Sequence, residues 1–272
     1  MKVLISGASS GIGRELSLRL DGQSIQTLVI LGRDVHRLEQ CEDELKFLYP
    51  DVLIGTQLLD FATASVSEIE SVTSNVWKRF GAFDLFICCA GVSYQGLLID
   101  STADQIDQQI AVNVRAPLVM IRTLASLMVK RRVSRWLAPH SAASIKSSGG
   151  KIVIVSSLMG LVAAPSFATY SATKFALVGF ARALRKELAH HNIKVSIILP
   201  TLTDTPMVKS FINFAGVQKL LPADVACLII AKAINGHSDE IIIGWQAKLA
   251  VMGKKFFPAI VEFALCRFAP IK

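Results

Sequence analysis

Apolar residues along the chain fall into two alternating kinds of run. Short runs of strand character occupy 3–5, 27–31, 53–58, 85–88, 151–155, 195–199 and 241–243, and the longer stretches between them space their apolar residues as a helix does. This alternation predicts β-α-β units and therefore a parallel sheet. Several short runs are apolar at successive positions, as in Ile152-Val153-Ile154-Val155, which is the pattern of strands covered on both faces. The predicted architecture is α/β: one doubly wound domain with a seven-stranded parallel sheet flanked by helices over 1–245, and a hydrophobic C-terminal extension over 246–272. No internal repeat or Pro/Gly/Ser linker divides it. The Ser-, Ala- and Gly-rich stretch 134–150 has weak periodicity and reads as a long exposed loop before the strand at Lys151.

Composition narrows the class without changing this picture. A chain of 272 residues that is 52% hydrophobic can bury a large core, which excludes disorder. Its five cysteines, Cys41, Cys88, Cys89, Cys227 and Cys266, include no C-x-x-C pair, so neither a disulfide framework nor a metal site is encoded and a reducing compartment is expected. The formal charge is +8, but the basic residues are scattered and form no stripe interleaved with aromatics, so no nucleic acid partner is expected. The first apolar run meets Gly7 too early for a signal peptide or a span. The apolar stretch 254–270 is interrupted by Pro258, Glu262 and Arg267, and falls short of the roughly 20 apolar residues of a simple span.

The first candidate chemistry is the glycine-rich turn Gly7-Ala8-Ser9-Ser10-Gly11-Ile12-Gly13, which follows a strand and leads into a helical pattern at Leu16, Leu18 and Leu20. In that setting Gly7 permits the tight turn, Gly11 lets backbone approach a pyrophosphate, and Gly13 allows close helix–strand packing. The helix N-terminus offers free N–H groups to phosphate, and the hydroxyls of Ser9 and Ser10 add contacts. At the end of the second strand Arg33 follows Gly32. A planar, permanently charged guanidinium suits the 2′-phosphate of NADP, and Arg37 one turn later adds a second charge. Asp34 offers the competing choice of a ribose hydroxyl and NAD.

Further residues stand where a known family places its own: Asp60 after the third strand, Ala90-Gly91 after the fourth, Asn113 in the next helix, and Ser157, Tyr170 and Lys174 in the spacing Ser-x12-Tyr-x3-Lys. Over roughly residues 2–245 the chain resembles the short-chain dehydrogenases/reductases. The resemblance implies a Rossmann fold, an NADP(H) cofactor and a carbonyl substrate. It makes Tyr170 the proton donor, has Lys174 act on that phenol and on the nicotinamide ribose, has Ser157 hold the substrate oxygen, and gives Asn113 a place in a water-linked proton path. It further implies cofactor contacts from Ile12, Asp60, Phe61, Ala90, Gly91, Asn113, Thr203 and Thr205. Elementary electrostatics agrees with the Tyr–Lys pairing, since a cation about 4 Å from a phenol favours its ionised form by up to roughly 4 kcal/mol at an effective dielectric near 20. Two departures stand out. Cys88-Cys89 replaces the usual Asn-Asn before Ala90-Gly91, and Thr201 replaces glycine after Pro200, for which a slightly altered loop is expected.

Substrate and location are less directly written. The stretch 206–221 corresponds to the family's variable lid, and its Met207, Phe211, Ile212 and Phe214 suit an apolar substrate or, alternatively, core packing. The combination of Cys89-Ala90-Gly91 after the fourth strand, Arg131-Arg132-Val133 before the fifth, Thr203-Asp204-Thr205-Pro206 after the sixth and the hydrophobic C-terminal extension looks most like the branch containing 3-ketodihydrosphingosine reductases, implying NADPH-dependent reduction of a long-chain ketone at a membrane. The alternatives are reduction of another apolar or steroid-like carbonyl, and an NADP-binding regulatory protein without turnover. The segment from Trp245 to Lys272, with Leu249, Val251, Met252, Phe256, Phe257, Ile260, Val261, Phe263, Leu265 and Phe268 among Lys248, Lys254 and Lys255, predicts a helix on a membrane surface, on the cytosolic side of the endoplasmic reticulum in a eukaryote. The same segment also suits packing on the domain or a homo-oligomer contact, dimeric or tetrameric.

Overall fold

Seven strands form where the apolar runs predict them: β1 (Lys2–Ser6), β2 (Thr27–Gly32), β3 (Leu53–Leu58), β4 (Leu85–Cys88), β5 (Gly150–Val155), β6 (Ile193–Pro200) and β7 (Glu240–Ile243). All pair in parallel, in the order β3-β2-β1-β4-β5-β6-β7. The computed structural model describes residues 1–136, 149–211, 219–236, 238–261 and 263. Every residue of β2 is buried, as a central strand covered on both faces requires.

Helices α1 (Gly11–Arg19), α2 (Val35–Leu48), α3 (Val66–Phe80), α4 (Ala103–Ile110), α5 (Ala116–Trp136), α6 (Ala168–Ala189), α7 (Pro222–Ile229) and α8 (Trp245–Phe256) complete the chain order. Their starts are locally encoded. The Ser65 hydroxyl accepts from the Glu68 N–H at the head of α3, Thr102 and Gln105 form a capping box at α4, and Pro222 occupies the first turn of α7. One core packs α3, α5 and α6 on one face of the sheet through Ile69, Leu124 and Leu177. A second packs α1, α2 and α7 on the other through Leu16, Leu45 and Ile229. The helical stretch Ala103–Arg132 is long and apolar enough to cross a membrane, yet 56% of its apolar window is buried inside the fold, as suits a core helix.

The expected loop at 134–150 begins later than predicted, because α5 continues to Trp136 and β5 already starts at Gly150. Residues 137–148 lie outside the described residues, as do Ile212 and Phe214 of the lid stretch and the last residues of the extension. The strand order reverses between β1 and β4, and a crevice opens there beyond the carboxyl ends of the strands. Beyond β7, α8 returns to the domain: Ala247 is fully buried and Ala250 faces the same crevice.

Candidate active site

The crevice is a cavity of about 650 Å³. One end is made by the turn after β1. Gly7 has φ +73°, and a Cβ there would stand 2.6 Å from the Cα and N of Ala90, so only glycine lets the β1 and β4 strand ends close on each other. A Cβ on Gly13 would overlap the Gly7 carbonyl, so α1 can begin only against bare backbone. Ser10, the N-cap of α1, makes no side-chain cap bond, which leaves the first-turn N–H groups for a ligand. Gly7, Ser9, Ser10, Gly11 and Ile12 all line the cavity, while Gly13 lies just behind it.

Beyond β2, Asp34 caps α2: one carboxylate oxygen accepts from the Arg37 N–H at 3.1 Å and the other pairs with Arg37 Nε at 3.3 Å. Both oxygens are thus engaged, which disfavours the ribose alternative, and part of the Arg37 charge is already neutralised. Arg33 lines the cavity and its guanidinium forms no hydrogen bond or ion pair among the described residues. At the end of β3, Asp60 accepts from the Ala62 N–H at 2.9 Å in a local turn, and Asp60 and Phe61 both border the cavity.

Ser157, Tyr170 and Lys174 all line the cavity. Ser157 begins the short turn Leu158–Gly160, where its hydroxyl accepts from the Met159 N–H at 3.1 Å. Tyr170 and Lys174 lie one turn apart on α6, with the Lys174 ammonium 5.4 Å from the Tyr170 ring centre. Lys174 is only 3% exposed, and no hydrogen bond or ion pair engages its ammonium among the described residues. A buried charge in that condition calls for a polar ligand in the cavity beside it. Ala90 and Gly91 close the wall opposite, and a Cβ on Gly91 would stand 3.5 Å from Lys174 Nζ.

Asn113 does not line the cavity. It is fully buried in a π turn, Ala111–Arg115, between α4 and α5. Its amide donates to the Val92 carbonyl at 2.8 Å and to Thr173 Oγ1 at 3.1 Å, and its oxygen accepts from the Val92 N–H at 2.9 Å. The side chain therefore braces the loop after β4 against α6. Thr203 and Thr205 line the opposite rim, where the Thr203–Leu220 bridge ties down the segment after β6.

The two sequence departures have local explanations. Burial pushes the Cys88 thiol up to about 11 and the Cys89 thiol up to about 12, outweighing the opposing pull of Lys174. Both remain neutral and fill the strand end as small apolar groups. Thr201 is accommodated by Gly244, which has φ +106° at the β7–α8 junction: a Cβ there would stand 2.7 Å from the Thr201 methyl.

Several contributors escape sequence reasoning. The Ser156 hydroxyl donates to the Lys174 carbonyl at 3.1 Å, and Lys254 on α8 donates to the Leu161 carbonyl at 3.2 Å. The apolar wall holds Met207 and Phe211, as expected from the lid stretch, and also Phe167, whose ring meets Phe211 edge-on at 5.1 Å and Tyr170 at 6.4 Å. The side chain of Ser157 could be found by spacing, whereas Phe167 and Ala250 carry no motif.

A family model described as short chain dehydrogenase matches residues 1–215. The chain is 27% identical over 247 residues to a 3-dehydrosphinganine reductase of Danio rerio, covering 86% of this chain and 69% of that protein. It is also 27% identical over 270 residues to dehydrogenase/reductase SDR family member 7B of Bos taurus, covering 95% of this chain and 78% of the relative. Among solved structures, a short chain dehydrogenase from Burkholderia cenocepacia in complex with NADP superposes with a TM-score of 0.75 at 21% identity, over 97% of this chain and 99% of the other. With four-fifths of its length matched by the family model, and most of the predicted site residues, though not Asn113 or Gly13, lining one crevice, this chain belongs to the short-chain dehydrogenase family.

Proposed function

We propose that the chain reduces the keto group of a long-chain lipid of the 3-ketodihydrosphingosine kind to a secondary alcohol, with NADPH as reductant. The observation that carries this reading is the make-up of the one cavity: glycine backbone and the Arg33 guanidinium suit a phosphorylated cofactor, Phe167 and Phe211 suit an apolar chain, and Ser157, Tyr170 and Lys174 share the same lining. The unengaged Arg33 guanidinium, the unengaged Lys174 ammonium and the bare backbone at Gly7 and Gly13 fit a phosphorylated dinucleotide. Bound NADPH supplies the hydride for the carbonyl carbon.

The chain's own groups do the rest. Ser157 donates a hydrogen bond that holds the ketone oxygen, and Tyr170 gives that oxygen its proton. The Lys174 ammonium stands beside that phenol, 5.4 Å from its ring centre, and serves the cofactor from the same place. Asn113 and Ser156 are positioning residues, fixing the loop after β4 and the start of α6 around these groups. The relative from Danio rerio supports the sphingoid substrate, and the relative from Bos taurus leaves room for a different apolar carbonyl. Purified protein with NADPH and a panel of ketones of increasing chain length, followed by loss of nicotinamide absorbance, tests the reading. Turnover that rises with chain length is expected; tight NADPH binding with no turnover on any ketone would instead mark a regulatory protein.

A further inference from the structure

The outer face of α8 carries a run of exposed apolar side chains. Trp245, Leu249, Met252 and Phe256 are spaced by four, three and four residues, so they form one stripe, and each is more than half exposed. Phe257, Ile260 and Phe263 carry the exposed apolar surface onward. Exposed Lys248 and Lys255 flank the stripe on one side, and Lys255 lies 5.6 Å over the Phe256 ring. α8 itself carries no acidic residue, and Glu262 is the one acidic residue in 245–263. On the inner face, Ala247 is fully buried, Ala250 lines the cavity, and Lys254 is bonded to the Leu161 carbonyl in the turn that follows Ser157.

We infer that this outer face docks on an anionic lipid bilayer, and that the long-chain ketone passes from the bilayer into the cavity beneath α8 without crossing water. The inference rests on the lipid-ketone reading and gives that substrate its route. A stripe of bulky apolar residues flanked by lysines combines hydrophobic insertion with attraction to anionic headgroups. A second copy of the chain is a poorer occupant. A two-fold contact of α8 on α8 would set Lys248 and Lys255 against lysines of the partner, with no carboxylate on the helix to neutralise them. Entry under α8 follows from the helix being a shared wall. Its apolar stripe faces outward while Ala250, a small side chain on the other side, borders the cavity that holds Tyr170. A ketone whose chain stays in the bilayer then has only the thickness of one helix to pass.

The test uses the full chain, a Leu249→Glu/Met252→Glu variant and a Lys248→Glu/Lys255→Glu variant, all changed only on the exposed face. Each is sedimented with phosphatidylcholine vesicles with and without phosphatidylserine, then assayed on a long-chain ketone held in those vesicles and on a short, water-soluble ketone in buffer. The intact chain is expected to sediment with the phosphatidylserine vesicles and both variants to remain in the supernatant. Turnover of the vesicle-held ketone should fall by about tenfold or more in both variants, as two lost lysine contacts or two lost apolar insertions imply, while turnover of the soluble ketone is unchanged. Docking is overturned if the intact chain stays in the supernatant, or if it is a dimer in solution that the Leu249→Glu/Met252→Glu variant dissociates. Entry from the bilayer is overturned if the variants keep full turnover of the vesicle-held ketone. Should no ketone be reduced in any form, the lipid-ketone reading and the entry route fall together, and sedimentation still decides the docking.

Discussion

At the β1–β2 end of the cavity the walls are largely backbone, whereas at the α6–α8 end they are side chains. Gly7 and Gly13 each bring main chain so close to other main chain that no Cβ fits, and the N-terminal turn of α1 is left bare beside them. Across the cavity, Phe167, Met207 with Phe211, and Ala250 arrive from three separate segments and line one wall. The difference sets what each end can tolerate. Backbone approach allows one residue type at one spacing, while an apolar wall accepts many combinations of similar volume. One end can therefore stay constant in its ligand while the other is retuned.

The largest expected effect lies where the two ends meet. Tyr170→Phe removes only the phenolic oxygen, so ketone reduction should fall by about three orders of magnitude, within the range for loss of a positioned proton donor. NADPH affinity, read by nicotinamide fluorescence, should be unchanged, because the cofactor end is untouched. Near-normal turnover would sink the mechanism. Lys174→Ala should damage both, since its ammonium serves the phenol and the cofactor together.

Next comes a direct probe of the backbone wall. Gly13→Val places a branched side chain against the Gly7 carbonyl, and α1 cannot start where it does without the turn shifting. NADPH binding should weaken by about a hundredfold or more, the scale of a misplaced phosphate-binding turn losing two hydrogen bonds to charged groups. Binding at the native affinity would show that the turn yields, and the contrast between the two ends would fail.

Arg33→Ala acts on a side chain at the same end, so its effect should be smaller and selective. Losing one charge-assisted contact corresponds to about 1.5–3 kcal/mol, or roughly ten- to a hundredfold in NADPH affinity. NADH affinity should be nearly unmoved, because NADH lacks the 2′-phosphate. Equal losses for both cofactors would return Asp34 and Arg37 to consideration as the ribose-reading pair.

This same contrast accounts for what could be read from sequence. The strands were legible because covering both faces forces runs such as Ile152-Val153-Ile154-Val155, and the glycine turn because each glycine answers to a close approach. Arg33 was preferred over Asp34 on charge, and the structure adds the reason Asp34 is engaged: it caps α2. Ser157, Tyr170 and Lys174 were legible because their spacing resembles that of the family. Phe167, Ser156 and Lys254 were not, since their roles come from long-range packing and from bonds to carbonyls, which any residue can offer. The altered loop expected from Thr201 has its counterpart 43 residues further on, in Gly244, and no local pattern links the two. The side-chain amide of Asn113 also reads differently once placed, as a brace on Val92 and Thr173.

The smallest expected effect falls on the side-chain wall. Ala250→Leu adds bulk at the point where α8 borders the cavity, facing space rather than close-packed core, so the fold should absorb it with little loss of stability. If the long substrate chain runs under α8, the added methylenes narrow its path, and KM for the longest ketone should rise by about three- to tenfold, the scale of a one- or two-methylene mismatch in an apolar site. Turnover of a short ketone should not change, because its carbonyl reaches Ser157 and Tyr170 without touching that wall. NADPH affinity should not change either, since no atom at the glycine end moves. Kinetics on a ketone series of increasing length separates the outcomes. A uniform loss across all lengths would place Ala250 beside the reacting carbonyl instead of the chain, and a loss of NADPH affinity would mean that the two ends of the cavity are mechanically one.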